Sequence, residues 1–192
     1  MAAAEEPVLL FGTAAEFEAW LEEHNGRSGG VWLKIARKGA REPSVTYAEG
    51  VEIGLCFGWI DSQKRSLDEE HYVQRFTPRR PRGRWSKINR DKAEALIESG
   101  RMRAAGLDQV EAARADGRWE AAYAGSKSAT VPEDLQRELD ASPGAAEFFA
   151  GLDSANRYAI LYRLDEAKKP ETRERRLRKF VAMLERGEKI HG

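Results

Sequence analysis

Cys56-Phe57-Gly58-Trp59-Ile60-Asp61-Ser62 is the stretch whose reading decides the fold. Two aromatic rings flank a glycine, so the chain here packs tightly with little side-chain bulk at its centre. The apolar part reads as a buried element, and Asp61-Ser62 marks where polar chemistry can begin. On the N-terminal side, Thr46-Tyr47-Ala48-Glu49 is a capping box that opens a helix, with Tyr47, Val51 and Leu55 four residues apart. Gly58 to Asp61 is then expected as a short core strand. Lys64 to Leu67 and His71 to Thr77 are expected as two more, joined by the acidic turn Asp68-Glu69-Glu70 and ended by Pro78 and Pro81.

Further out, Thr13-Ala14-Ala15-Glu16 is a second capping box, before a helix carrying Phe17, Trp20, Leu21 and His24 at helical spacing and ending at Asn25-Gly26. His24 lies on that apolar stripe and reads as a packed side chain, not a ligand. Val31, Leu33 and Ile35 alternate with Trp32 and Lys34, which is strand patterning. From Ser86, a candidate N-cap, the chain turns helical. Ala93, Leu96 and Ile97 form one inner face, Gly100 and Gly106 bracket a turn, and Leu107, Val110 and Ala113 mark the next helix. Ala124 to Thr130 is a linker of small and polar residues. Four helices follow, starting at Pro132-Glu133, at Ser142-Pro143, at residue 154 with Tyr158, Leu161 and Tyr162 inward, and at Pro170 with Leu177, Phe180, Val181 and Leu184 inward. The expected fold class is α+β. An N-terminal antiparallel sheet with packed helices, over 10–124, precedes a small all-helical C-terminal unit over 130–187.

Composition narrows the function. The chain has 192 residues, 41% of them hydrophobic, so it can bury a core. Its 32 basic and 32 acidic side chains cancel, so no global field draws it to nucleic acid or membranes. The charges are clustered, however. Between residues 75 and 92, Arg75, Arg79, Arg80, Arg82, Arg84, Lys87, Arg90 and Lys92 face only Asp91, and Lys168 to Lys179 forms a second basic zone. The single cysteine, Cys56, rules out an intrachain disulfide and reads as a small buried hydrophobe. The N-terminus has no basic region, and the apolar run Val8 to Phe11 is too short for a signal-peptide core or a membrane span. A cytoplasmic protein without membrane insertion is expected.

The motifs exclude more than they assign. His24, His71 and His191 are far apart and no paired-cysteine or HExxH spacing occurs, so no metal is expected. Glycine-rich phosphate loops and GxSxG are absent, and no cofactor is expected. Asp61, Ser62 and His71 are the residue types of a hydrolytic triad, which defines an enzyme alternative with Asp68 and Asn89 nearby. Arg75 to Lys87 is the stronger candidate. Five arginines in ten residues, stiffening prolines and a helix start at Ser86 make an anion site, with Trp85 available to stack on a base or sugar. Against this stands internal pairing with glutamates, including those of the acidic first helix. Arg173, Arg175, Arg176, Arg178 and Lys179 have the spacing of a solvated helix face.

An ordered set of fragments resembles the YdeI/OmpD-associated family, also called OmdA-like or bacteriocin-protection. In order they are Phe57-Gly58-Trp59-Ile60-Asp61-Ser62, Leu67-Asp68, Phe76-Thr77-Pro78-Arg79-Arg80, Trp85-Ser86-Lys87-Ile88-Asn89, Gly100-Arg101-Met102, Ala105-Gly106-Leu107, Gly117-Arg118-Trp119, and Ala167 to Arg173 with Arg175-Arg176. The set spans about 11 to 186. The resemblance implies a bacterial or archaeal protein linked to resistance against antimicrobial peptides or to an outer-membrane porin, and it brings no catalytic residues with it. Where relatives tend to have a serine before the Trp-Ser pair, this chain has Gly83-Arg84.

The expected function is therefore a non-catalytic binder of the stress-resistance type. Its ligand is an anionic, phosphate-bearing molecule or nucleic acid, held by Trp59, Asp61, Arg75, Arg79, Arg80, Trp85, Ser86, Lys87 and Asn89. The alternatives are a small hydrolase-like enzyme at Asp61, Ser62 and His71, and an interaction module using the basic C-terminal helices beside an exposed apolar patch.

Overall fold

The capping and alternation signals become structure in a computed structural model that describes residues 6–192. Residues 1–5, part of the N-terminal stretch read above as lacking an export signal, lie outside the described residues. The chain divides into two units, residues 1–122 and 123–192. In the first, helix α1 (Ala14–His24) is capped by the Thr13 hydroxyl, which accepts from the Glu16 N–H. Glu16 reaches back one residue beyond the cap, accepting from Gly12 N–H at 2.8 Å. Helix α2 (Tyr47–Cys56) has the complete reciprocal box between Thr46 and Glu49.

The sheet has the order β1-β2-β4-β3, formed by β1 (Val8–Leu9), β2 (Val31–Ala36), β3 (Trp59–Ser66) and β4 (His71–Pro78). Pairs β2·β4 and β4·β3 are antiparallel, as expected. The two-residue β1, cut from the apolar run Val8 to Phe11, pairs parallel with β2 and makes the sheet mixed. One strand, β3, replaces the two expected over 58–67. Asp61 pairs with Phe76 and Lys64 with Gln74, three steps on one strand against two on the other. That extra residue is a bulge, and it reverses the alternation that had suggested two strands. The bulge is held by Gln74 Nε2 donating to the Gln63 carbonyl at 3.2 Å.

One face of the sheet carries α1 and α2. Phe17, Leu21, Val31, Leu33, Trp59 and Phe76 are buried there without exposed surface. Gly50 and Gly54, one helical turn apart on α2, let the Phe76 ring lie against the helix backbone, where an added Cβ at either would come within 3.3 Å of it. Ile60, expected in the core, points to the other face and is only half-buried.

The quoted stretch is a helix end, a turn and a strand start. Phe57 caps α2, and Gly58 adopts φ 74°, a left-handed conformation that an L side chain rarely takes. Helix α3 (Lys87–Glu98) follows the expected Ser86 cap, whose hydroxyl accepts from Asn89 N–H at 3.1 Å. Helix α4 (Ala104–Ala115) corrects the expected turn at Gly106, which lies inside the helix. There it is pressed against the end of α2: an added Cβ would sit 2.4 Å from the Cys56 carbonyl and 2.7 Å from that of Leu55.

The second unit contains α5 (Glu133–Ala141), α6 (Pro143–Ala150), α7 (Ser154–Asp165) and α8 (Pro170–Glu185). Its core is built from Leu135, Phe149, Ile160, Leu164, Phe180 and Leu184 among others. The inner face of α7 is Asn156, Ile160, Leu161 and Leu164. Tyr158 and Tyr162, expected inward, are half-buried and pack on one another at 5.9 Å.

Replacing Gly106 with alanine should force α2 and α4 apart and cost about 1–3 kcal/mol by overpacking. Gly29→Ala, where an added Cβ meets nothing within 4 Å, should not. Urea unfolding midpoints of the two variants check this.

Candidate functional site

The Arg75–Asn89 segment leaves β4 through Pro78 and turns back before α3. Its turn is tight: Gly83 N–H donates to the Arg80 carbonyl at 2.9 Å, and Arg82 takes φ 63°. Arg82 is the one non-glycine residue with positive φ among the described residues. Two contacts brace the loop. Arg79 N–H donates to the Gly58 carbonyl at 2.9 Å, tying the loop to the turn after α2. Arg118, paired with Asp116 at 2.7 Å, donates to the Gly83 carbonyl at 2.9 Å.

A hollow of about 210 Å³ opens beside this loop at the Ile60 end of β3. Ser62, Thr77 and Arg80 line it together with Arg75, Arg79 and Arg84. Arg80 is exposed, and no ion pair involves it among the described residues. Arg75 is occupied by Glu6, with Nε and Nη2 donating to its two carboxylate oxygens at 2.6 and 2.5 Å. That charged hydrogen bond holds the Glu6 carboxyl below the ordinary 4.5. Gly30 leaves room for it, since an added Cβ would lie 2.6 Å from the Glu6 carboxylate. The glutamate facing the loop is thus Glu6. The acidic first helix is used elsewhere, with Glu18 and Glu22 both pairing with Arg103 at 2.9 Å.

Several expected ligand contacts lie out of reach of a ligand. Trp59 is fully buried and donates its indole N–H to Asn25 Oδ1 at 2.9 Å. Trp85 is 2% exposed, so it offers no face to a base. The Arg79 guanidinium lies 3.7 Å from its ring centroid, and Trp119 packs edge-on at 4.9 Å. Both tryptophans serve the core. The Ser86 hydroxyl is committed to capping, Lys87 is exposed, and Asn89 is half-buried. Asp61 accepts from the Tyr47 hydroxyl at 2.8 Å, a partner with no signal in the sequence. Partial desolvation of the hydroxyl, with this bond second, raises the Tyr47 phenol far above its ordinary value. Burial likewise raises the Cys56 thiol.

The hydrolytic alternative does not assemble. Asp61 pairs with Phe76 while His71 lies five residues away on β4. An odd separation along a regular strand puts the two on opposite faces, and five residues span roughly 16 Å. His71 is buried and takes Asp68 as its partner, with Nδ1 at 3.2 Å from Oδ1. Ser62 Oγ donates to the Arg75 carbonyl at 3.4 Å. Among the described residues no group of three or more His, Cys, Asp or Glu side chains could hold a metal.

The basic C-terminal zone is partly structural. Arg173 donates to both oxygens of Asp134 at 2.6 and 2.8 Å and to the Leu164 carbonyl at 2.8 Å, locking α8 to α5 and α7. Arg176 pairs with Glu166, and Arg178 with Glu174 one turn away. The exposed large hydrophobic side chains among the described residues are Val8, Tyr47, Leu67 and Ile88, all in the first unit. The patch required beside Arg173 to Lys179 is not among them. No helix among the described residues is long and apolar enough to cross a membrane.

Comparison with known families gives one match in each of the two units. The chain belongs to the family described as a domain of unknown function (DUF8412), whose model matches residues 9–109, over half the chain. Residues 128–187 match the family described as "Bacteriocin-protection, YdeI or OmpD-Associated", the family that the ordered fragments resemble. Of those fragments, Ala167 to Arg176 fall within that match, those from Phe57 to Leu107 fall within the first, and Gly117-Arg118-Trp119 falls within neither. No curated protein and no solved structure matches the chain.

The Glu6–Arg75 pair makes the first unit acid-sensitive. A carboxyl held low in the folded state stabilises the fold above its ordinary pKa, and that contribution is lost as pH falls through the folded value. Glu6→Gln should therefore lower stability at neutral pH, and the gap to the parent should close as pH falls below the ordinary carboxyl range. Denaturant midpoints measured against pH check this.

Proposed function

We propose that the first unit binds a small phosphate-bearing anion in the hollow beside Arg80, in the cytoplasm, without catalysing a reaction on it, as part of a bacterial resistance or stress response. The family description of the helical unit supports the biological setting. What carries the binding reading is the exposed Arg80 beside the Thr77 hydroxyl at one hollow. A guanidinium and a hydroxyl are donors suited to phosphate oxygens. The left-handed Arg82 adds weight, because backbone strain in a loop persists only where its surroundings hold it and often marks a ligand clamp.

Size selects among anions. At about 210 Å³ the hollow falls below the roughly 300–1,000 Å³ of typical ligand pockets, which favours a pyrophosphate or a nucleotide's phosphate end over a whole nucleotide. Single-stranded nucleic acid is disfavoured, since its binders stack bases on exposed rings and Trp85 is buried.

Titration calorimetry with inorganic pyrophosphate tests this. Binding should weaken from low to physiological salt. Arg80→Ala should weaken it roughly ten-fold or more, the worth of one charge-assisted hydrogen bond. Absence of binding, or affinity indifferent to both salt and Arg80, overturns the reading.

A further inference from the structure

The helical unit contains a second hollow, of about 380 Å³, unrelated to the arginine loop. Phe148 and Leu152 supply its apolar lining, and Gly144 and Gly151 open its walls by presenting no side chain. An added Cβ at Gly144 would meet nothing within 4 Å. Glu147 from α6 and Lys189 from the C-terminal segment also line it. Both are exposed, and neither makes an ion pair or side-chain hydrogen bond among the described residues.

Lys189 is on a segment whose path is fixed. Asn156, 4% exposed, accepts from the N–H groups of Ile190 and His191 at 3.1 and 2.8 Å. Its amide donates to Asp153 Oδ2 at 2.9 Å and to the His191 carbonyl at 3.2 Å. The buried amide is thus fully used, three of its four hydrogen bonds holding the residues that follow Lys189. On the other side of Lys189, Gly187 turns with φ 68° where an added Cβ would lie 3.6 Å from the Phe148 ring. The backbone at Lys189 is therefore held between two anchored points.

We propose that this hollow binds the zwitterion of a free amino acid with an apolar side chain. Its carboxylate meets Lys189, its ammonium meets Glu147, and its side chain lies on Phe148 and Leu152. A hollow carrying one charge of each sign discriminates. A simple anion meets the Glu147 carboxylate as well as Lys189, and a simple cation meets Lys189 as well as Glu147, whereas a zwitterion complements both. The volume lies within the range of small-molecule sites.

The test is a chemical-shift titration of the full chain with L-leucine and L-phenylalanine, beside N-acetyl-L-leucine and L-leucinamide. The free amino acids should shift resonances around Phe148 and Leu152 at millimolar concentrations, and each blocked derivative should bind roughly ten-fold more weakly. Glu147→Gln should remove the preference for a free amine, and Lys189→Met the preference for a free carboxylate. Gly144→Leu, placed in open space, should fill the hollow and abolish binding while the spectrum elsewhere stays native. No shift with either amino acid, or equal binding of the blocked derivatives, overturns the proposal.

Discussion

The first unit depends on how the last turn of α2 is received. Three neighbours meet its backbone directly, with no side chain intervening. The Cys56 and Leu55 carbonyls abut Gly106 of α4, the Cys56 carbonyl accepts from Arg103 N–H at 3.1 Å, and the Gly58 carbonyl accepts from Arg79 N–H. The left-handed Gly58 then turns the chain so that Trp59 enters the core at once. An added Cβ at Gly58 would lie 2.7 Å from the Ala105 carbonyl, so the two helices interlock through reciprocal glycines. Helix, strand and arginine loop all take their positions from these few backbone atoms. A close-packed interior has no slack with which to absorb a methyl group there.

Charge is used mainly as bracing. Glu52 on α2 takes Lys92 at 3.1 Å and Arg101 at 3.3 Å, Arg103 reaches two glutamates of α1, and Arg75 holds Glu6. In the helical unit Arg173 and Asp134 play the same part. Exposed pairs contribute about 0–1 kcal/mol each. The forked, partly buried ones also fix geometry, because a guanidinium meets a carboxylate in one plane. An abundance of arginine in this chain is therefore a poor guide to ligands by itself. Arg80 stands apart because it faces a hollow without such a commitment.

Local signals were legible, and the structure kept them. The Thr46–Glu49 box, the Ser86 cap, the alternation of Val31, Leu33 and Ile35, and the apolar stripe from Leu177 to Leu184 each depend on neighbours in sequence. What escaped depends on partners distant in sequence. The bulge after Asp61 is held by Gln74, and it disguises one strand as two. Gly106 looked like a turn residue because glycine has two uses, and only the nearness of α2 shows that the second applies. The rings of Trp59 and Trp85 looked like binding surfaces because sequence records an aromatic side chain without recording what covers it. At the candidate site, the arginine cluster was visible, whereas Glu6, Thr77 and the strained Arg82 needed the folded loop.

The edge strand has a consequence for the order in which the protein takes shape. Strand β1 is two residues long, and Glu6, two residues before it, is anchored to Arg75, 69 positions later in the chain. During synthesis Glu6 leaves the ribosome well before Arg75, so although β1 can pair with β2, the Glu6 carboxylate has no partner until β4 has emerged. The Glu6 contact is therefore among the last of the sheet's contacts to form. In the helical unit the distant ties are shorter, Arg173 to Asp134 across 39 positions and Ser142 to Glu185 across 43, and closing shorter loops costs less entropy. One chain thus joins a sheet that must wait for its most distant partner to a bundle whose partners lie nearer.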